Sequence, residues 1–158
     1  MQYQDEIAQL EVRSRIEGGI VVIDVEGNVI APAMYAAKRS IMEWLKTIGP
    51  VAGYLIDYRA ADVACTLEEM NLLLNEADAD LDTAPAALVV RTMDVPLFQR
   101  HVWALAWRGV VRGAFIDRAR AAEWIKARAA VAAESRNWQL SQSPPAPQRR
   151  RVDASVRR

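Results

Sequence analysis

Asp57, Tyr58, Arg59 and Asp62 offer carboxylate, phenol and guanidinium groups within one short stretch, DYRAAD. Carboxylates at such a place suit acid–base work or the anchoring of a polar ligand. In open α/β sheets, ligands bind beyond the carboxyl ends of the strands. Asp24 and Asp117 close apolar runs in the same way. Strand termination, pairing and capping use the same residue types, and Asp117 reads as a helix N-cap. The single cysteine, Cys65, precedes a helix start, where a thiolate is favoured. A buried small hydrophobe is the commoner role for such a residue. One cysteine and one histidine, His101, leave no disulfide framework, multi-cysteine metal site or histidine cluster. No P-loop, dinucleotide fingerprint or nucleophile elbow is present. An enzyme would need Asp57, Arg59 and Cys65 gathered in one concave site. No cofactor or metal is expected, and the reading is non-catalytic.

A second set of candidates lies on a helix expected over residues 96–112. At 100° per residue, His101, Arg108 and Arg112 fall on one stripe, able to hold an anion or to face solvent. The other arc carries Phe98, Val102, Trp103, Ala106, Trp107, Val110 and Val111. It is wider than docking on a sheet requires. Trp103, Trp107 and Val111, flanked by Arg100, are therefore expected at a surface for a partner or an apolar ligand. The opposing expectation is a helix wedged against a neighbour that buries both tryptophans. Thr66 and Glu69 form a capping box. That use of the Thr66 hydroxyl competes with its use as a phosphosite.

These residues need elements to place them. EVRSRIEGGIVVIDVEGNV reads as a hairpin turning at Gly18-Gly19, with Gly27-Asn28 closing its second strand. Met34, Ala37, Ile41, Trp44, Leu45 and Ile48 recur at helical spacing until Gly49-Pro50. A buried strand runs from Val51 to Tyr58, and RAADVAC is a loop. A helix opens at Thr66 and extends through Leu81. AALVVR, AFI and the helix RARAAEWIKARAAVAAE complete the chain. Gly113 is expected to stop the 96–112 helix, and Gly109 only to weaken its last turn. Buried strands alternating with amphipathic helices imply an α/β domain: a mixed, mainly parallel five-stranded sheet with about four helices. Residues 1–140 form this domain, and 141–158, rich in proline, serine and arginine, form a disordered basic tail.

The 158 residues carry 20 basic and 20 acidic groups, a zero built from unlike blocks. Residues 1–65 are net −3, 66–84 net −6, 85–140 net +5 and 141–158 net +4. Without the tail the chain is net −4, so nucleic acid is not an expected partner. No apolar run reaches membrane-spanning length and no signal peptide is evident, so a soluble, cytoplasmic protein is expected. The acidic and basic blocks are able to pair within the chain or between copies.

The order of elements resembles the STAS fold of the anti-sigma-factor antagonists, above all the stand-alone SpoIIAA-like proteins of bacteria. GGIVVIDVEGNV, VAGYLIDYRAAD and AFIDRARAAEWI carry the likeness, over about residues 10–130. Those antagonists place a phosphorylatable serine at the helix start after the third strand. Here the segment reads DYRAADVACTLEE, where Thr66 stands without a serine. The resemblance implies a non-enzymatic regulatory domain with a protein partner or a homodimer. It implies second a small apolar or lipid ligand, since related stand-alone members are grouped with Sec14-like domains.

Overall fold

The computed structural model describes residues 10–75 and 84–142. Ten elements follow the chain: β1 (Leu10–Glu17), β2 (Ile20–Val29), α1 (Ala31–Ile48), β3 (Gly53–Val63), α2 (Leu67–Asn75), β4 (Ala86–Val89), a 3-10 turn (Thr92–Asp94), α3 (Val95–Ala106), β5 (Arg112–Phe115) and α4 (Arg118–Gln142). The expected α/β architecture is present. Five strands lie in the order β1-β2-β3-β4-β5. β1 pairs antiparallel with β2, and the other neighbours are parallel.

Right-handed crossovers that advance in one direction put their helices on one face. α1, α2 and α3 are such crossovers. Their Leu45, Met70 and Phe98 share a core with Val21, Ile23, Tyr54 and Leu88. α4 follows the last strand and covers the opposite face, where Ala121 and Ile125 meet Ile20, Val22, Leu55 and Val89. The alternation of side chains along each strand therefore feeds two separate cores. Gly53 makes the second contact close: a Cβ there would lie 2.8 Å from Ile125 Cδ1 and 3.1 Å from the Pro85 carbonyl oxygen.

Several boundaries differ from the sequence expectation. β2 does not end at Gly27-Asn28. A register shift between Asp24 and Glu26 and a φ of 97° at Gly27 carry the strand through to Val29. β3 continues to Val63, so the RAADV part of the expected loop is strand: Ala60, Ala61, Asp62 and Val63 pair with β2. α3 ends at Ala106 because Gly109, at φ 76°, caps it. The Gly109 N–H donates to Ala106 O and the Val110 N–H to Leu105 O, the paired bonds of a Schellman motif. Arg112 and Gly113 thus belong to β5, which is an edge strand. α4 reaches Gln142, eight residues beyond the expected helix. Ser141 and Gln142 of the expected tail are thus helical, and residues 143–158 of it, with residues 76–81 of the expected α2, lie outside the described residues.

Candidate functional site

The stretch Asp57–Asp62 does not gather into one site. Side chains alternate along β3, so Asp57 and Arg59 point to the α4 side, and Tyr58 to the other. There the Tyr58 ring packs on Phe98 with 5.0 Å between centroids. Asp62 reaches Arg91 Nη2 at 3.1 Å, and Arg91 Nε also donates to Asp94 at 2.8 Å, which ties the start of α3 to the end of β3.

On the α4 side, Arg118 in the first helical turn donates from Nη1 to Asp24 Oδ1 at 2.8 Å and to Asp57 Oδ2 at 2.7 Å. Arg59 grips the same Asp57 through Nε and Nη2. Arg15 donates to Asp24 at 2.6 Å and to Glu17 at 2.6 Å. The result is an alternating chain of charges across three strands and one helix. Burial pushes the Asp57 carboxyl up, but the bonds from Arg59 and Arg118 outweigh it and hold it below the usual carboxylate range. Asp24 behaves alike, with Arg118 and Arg15 outweighing its burial. Carboxylates so matched by guanidinium groups anchor a helix; they are poor proton acceptors. Arg118 was not a sequence candidate. It stands 61 residues from Asp57 and 94 from Asp24, so no local spacing signals it. Asp117 caps α4 as expected, accepting from the Ala119 N–H at 2.8 Å.

Cys65 lies in the core on the other face, and burial pushes its thiol up to about 11. The three residues an enzyme reading required are therefore split between two faces. Thr66 and Glu69 form the capping box: the Glu69 N–H donates to Thr66 Oγ1 at 3.2 Å, and the Thr66 N–H to Glu69 Oε2 at 3.0 Å. Among the described residues no group of three His, Cys, Asp or Glu is placed to hold a metal ion.

The basic stripe His101–Arg108–Arg112 is not formed. Phe98, His101 and Leu105 recur at helical spacing and are the buried residues of α3. Leu105 on the histidine's azimuth is what turns that side inward. His101 Nδ1 donates to Asn71 Oδ1 at 2.9 Å, since a carboxamide oxygen only accepts. Burial, aided by the Arg112 charge, lowers its pKa to about 4, so it is neutral near pH 7. Arg112, moved into β5, also points inward. Arg100 and Arg108 are exposed.

Around His101 and Arg112 opens a cavity of about 160 Å³ between the sheet and α1. Ile23, Tyr54, Ile56, Met34, Ile41 and Phe98 belong to its apolar wall, and Lys38 joins the two polar groups. Burial pushes the Tyr58 phenol up to about 12, against the opposing charge of Arg112. No motif in the sequence marks this space. Its one local signal is the small Ala37 on the inward side of α1, where a larger residue would fill it.

The surface of α3 is the other open feature. Trp103 is 61% exposed, Trp107 93% and Val111 40%, so the wedged arrangement is not found. Val111 lies beyond the helix, in the lead into β5.

No protein-family model matches the sequence, and no curated protein matches it at a significant level. Solved structures do match in shape. An uncharacterized protein from Shewanella loihica PV-4 with a SpoIIAA-like fold superposes at TM-score 0.50. The match covers 78% of this chain and 99% of that one, at 14% identity. This chain has a SpoIIAA-like fold. An anti-sigma factor antagonist from Mycobacterium paratuberculosis is also similar, at TM-score 0.48 and 14% identity over 75% of this chain and 95% of that chain. Within the SpoIIAA-like frame, α4 covers the ion-paired side of the sheet, and α1 to α3 the side with the cavity and the tryptophans. No helix among the described residues is long and apolar enough to cross a membrane.

Proposed function

We propose that this chain is a non-catalytic regulatory domain that docks a protein partner through α3. The observation that carries this reading is Trp107, 93% exposed, one turn from Trp103, 61% exposed. Indole rings left in water are costly unless covered. Tryptophan and arginine are also the side chains that dominate protein interfaces, and Arg100 and Arg108 flank the pair. Val111 extends the apolar area, and the SpoIIAA-like fold supports a regulatory role. His101 and Arg112, which face inward, belong to the cavity and not to this surface. Asp57, Tyr58, Arg59 and Asp62 act as supports for α3 and α4.

A photo-crosslinking residue in place of Trp107, introduced in cells, tests the reading. Crosslinks to a defined protein that are absent from the same residue placed at Ala130 on α4 are the expected result. Equal, diffuse labelling from both positions would refute it.

The cavity favours a second reading, a carrier or sensor of a small apolar or lipid ligand. An engineered apolar cavity of roughly 150 Å³ stays dry and takes benzene. The space beneath α1 has that scale, which suits a single ring or a short acyl chain. Native mass spectrometry of the purified protein is the test. A bound small molecule that leaves on denaturation supports this reading, and bare protein with no thermal shift from short-chain acids or small aromatics removes it.

A further inference from the structure

Resting on the docking reading of α3, we infer that the partner is a second copy of this chain, seated so that α2 of each copy lies on α3 of the other. α2 and α3 are both crossovers between parallel strands on one side of the sheet, so they run in the same direction. The bond from His101 to Asn71 sets their relative level. Each helix turns a stripe outward. On α2, Met70 is buried, while Glu68 and Leu72, one turn apart, are exposed. On α3, Phe98, His101 and Leu105 are buried, while Arg100, Trp103 and Trp107 are exposed. The two stripes are unlike in charge. Glu68 is acidic, Arg100 is basic, and neither makes an ion pair with a described residue.

The level of the two stripes fits a two-fold arrangement. At 1.5 Å per residue, Glu68 sits about 4.5 Å before Asn71, and Arg100 about 1.5 Å before His101. Leu72 and Trp103 sit about 1.5 Å and 3 Å after that bond. A two-fold axis along the helices preserves level. Glu68 of one copy then meets Arg100 of the other, Leu72 meets Trp103, and each contact occurs twice. Such an isologous contact closes on itself and stops at two copies. At the exposures given, with roughly 150–250 Å² per aromatic side chain, four tryptophans supply roughly 500–800 Å² of interface. Leu72, Val111 and the arginine stems bring this toward the roughly 1,200 Å² of a stable complex. An anionic membrane fits the surface less well, because Glu68 lies beside the basic stripe.

Two charge variants and their mixture test the arrangement by sedimentation velocity of the full chain. The wild type is expected to form a dimer with a dissociation constant in the micromolar range. Glu68→Arg alone and Arg100→Glu alone each place like charges together twice per dimer, and each weakens association by about 30-fold or more. Mixed in equal amounts, the two variants restore complementary pairs at both contacts. A heterodimer within about threefold of the wild-type affinity is expected. Circular dichroism of each variant keeps a folding defect from passing as lost association, and the mixture is a second control. A wild type that stays monomeric to hundreds of micromolar overturns the second-copy inference. Crosslinks from position 107 to a different protein would then leave the docking reading standing. A dimer indifferent to both variants overturns the crosswise seating, as does a mixture that stays monomeric.

Discussion

On one side of the sheet, α4 lays Ala121 and Ile125 directly on the strands, and Arg118 joins Asp24 and Asp57 beside them. On the other side, α1 spans a cavity, and α3 leaves two tryptophans in water. The same strands supply both faces. The difference lies in what covers them: one helix of close approach against three crossovers, the first of which carries Ala37 where a larger side chain would fill the space. Tight packing and matched charges make the α4 side the anchor of the fold. The other side retains unfilled volume and uncovered apolar surface, and those are the properties binding requires.

Variants on the two sides should separate stability from binding. The largest loss is expected for Asp57→Ala, which removes the shared partner of Arg59 and Arg118. The hydrogen bonds that these two partly exposed guanidinium groups make to the buried carboxylate are lost, at a cost of about 3 kcal/mol read from urea denaturation. Gly53→Ala comes next at about 2 kcal/mol, because its Cβ must push Ile125 and the Pro85 carbonyl apart. The same side should also lose stability in acid. Asp24 and Asp57 have folded pKa values below their ordinary ones. Their contribution is therefore full above about pH 4, where the unfolded groups titrate, and falls as pH drops through the lower folded values. The loss in acid should be much smaller in Asp57→Ala than in the wild type.

On the opposite side, Ala37→Leu should raise stability by about 1 kcal/mol by filling volume under α1. The same change should abolish binding of any cavity ligand, as seen by thermal shift. The smallest effect is expected for Trp107→Ala, within about 0.5 kcal/mol of wild type, because the ring touches mostly water. A large destabilisation by Trp107→Ala would mean that the two sides do not divide the work in this way.

Several features of the fold are readable locally because one short segment contains all of their physics. The Gly18-Gly19 turn, the Thr66–Glu69 capping box, the Asp117 cap and the stop at Gly49 each close within a few residues. The exposure of Trp103 and Trp107 also follows from a helix with more apolar arc than a sheet can cover. The spacing of His101, Arg108 and Arg112 does not give the facing of α3, because the helix ends at Ala106, before either arginine. Phe98 and Leu105 bury more apolar surface than a neutral histidine loses by following them inward. β3 reads past its apparent end because pairing with β2, and not hydrophobicity, carries Ala60 to Val63.

By itself, the sequence determined the alternation of strands and helices, the turns and caps, and a surplus of apolar residues on one helix. These depend on backbone preference and on periods of two and 3.6 residues. Only the tertiary structure decided that Arg118 bridges Asp24 and Asp57, that His101 and Arg112 face a cavity, and that α2 and α3 present one surface. Those outcomes join residues 30 to 94 positions apart, and crossover direction and strand register set them.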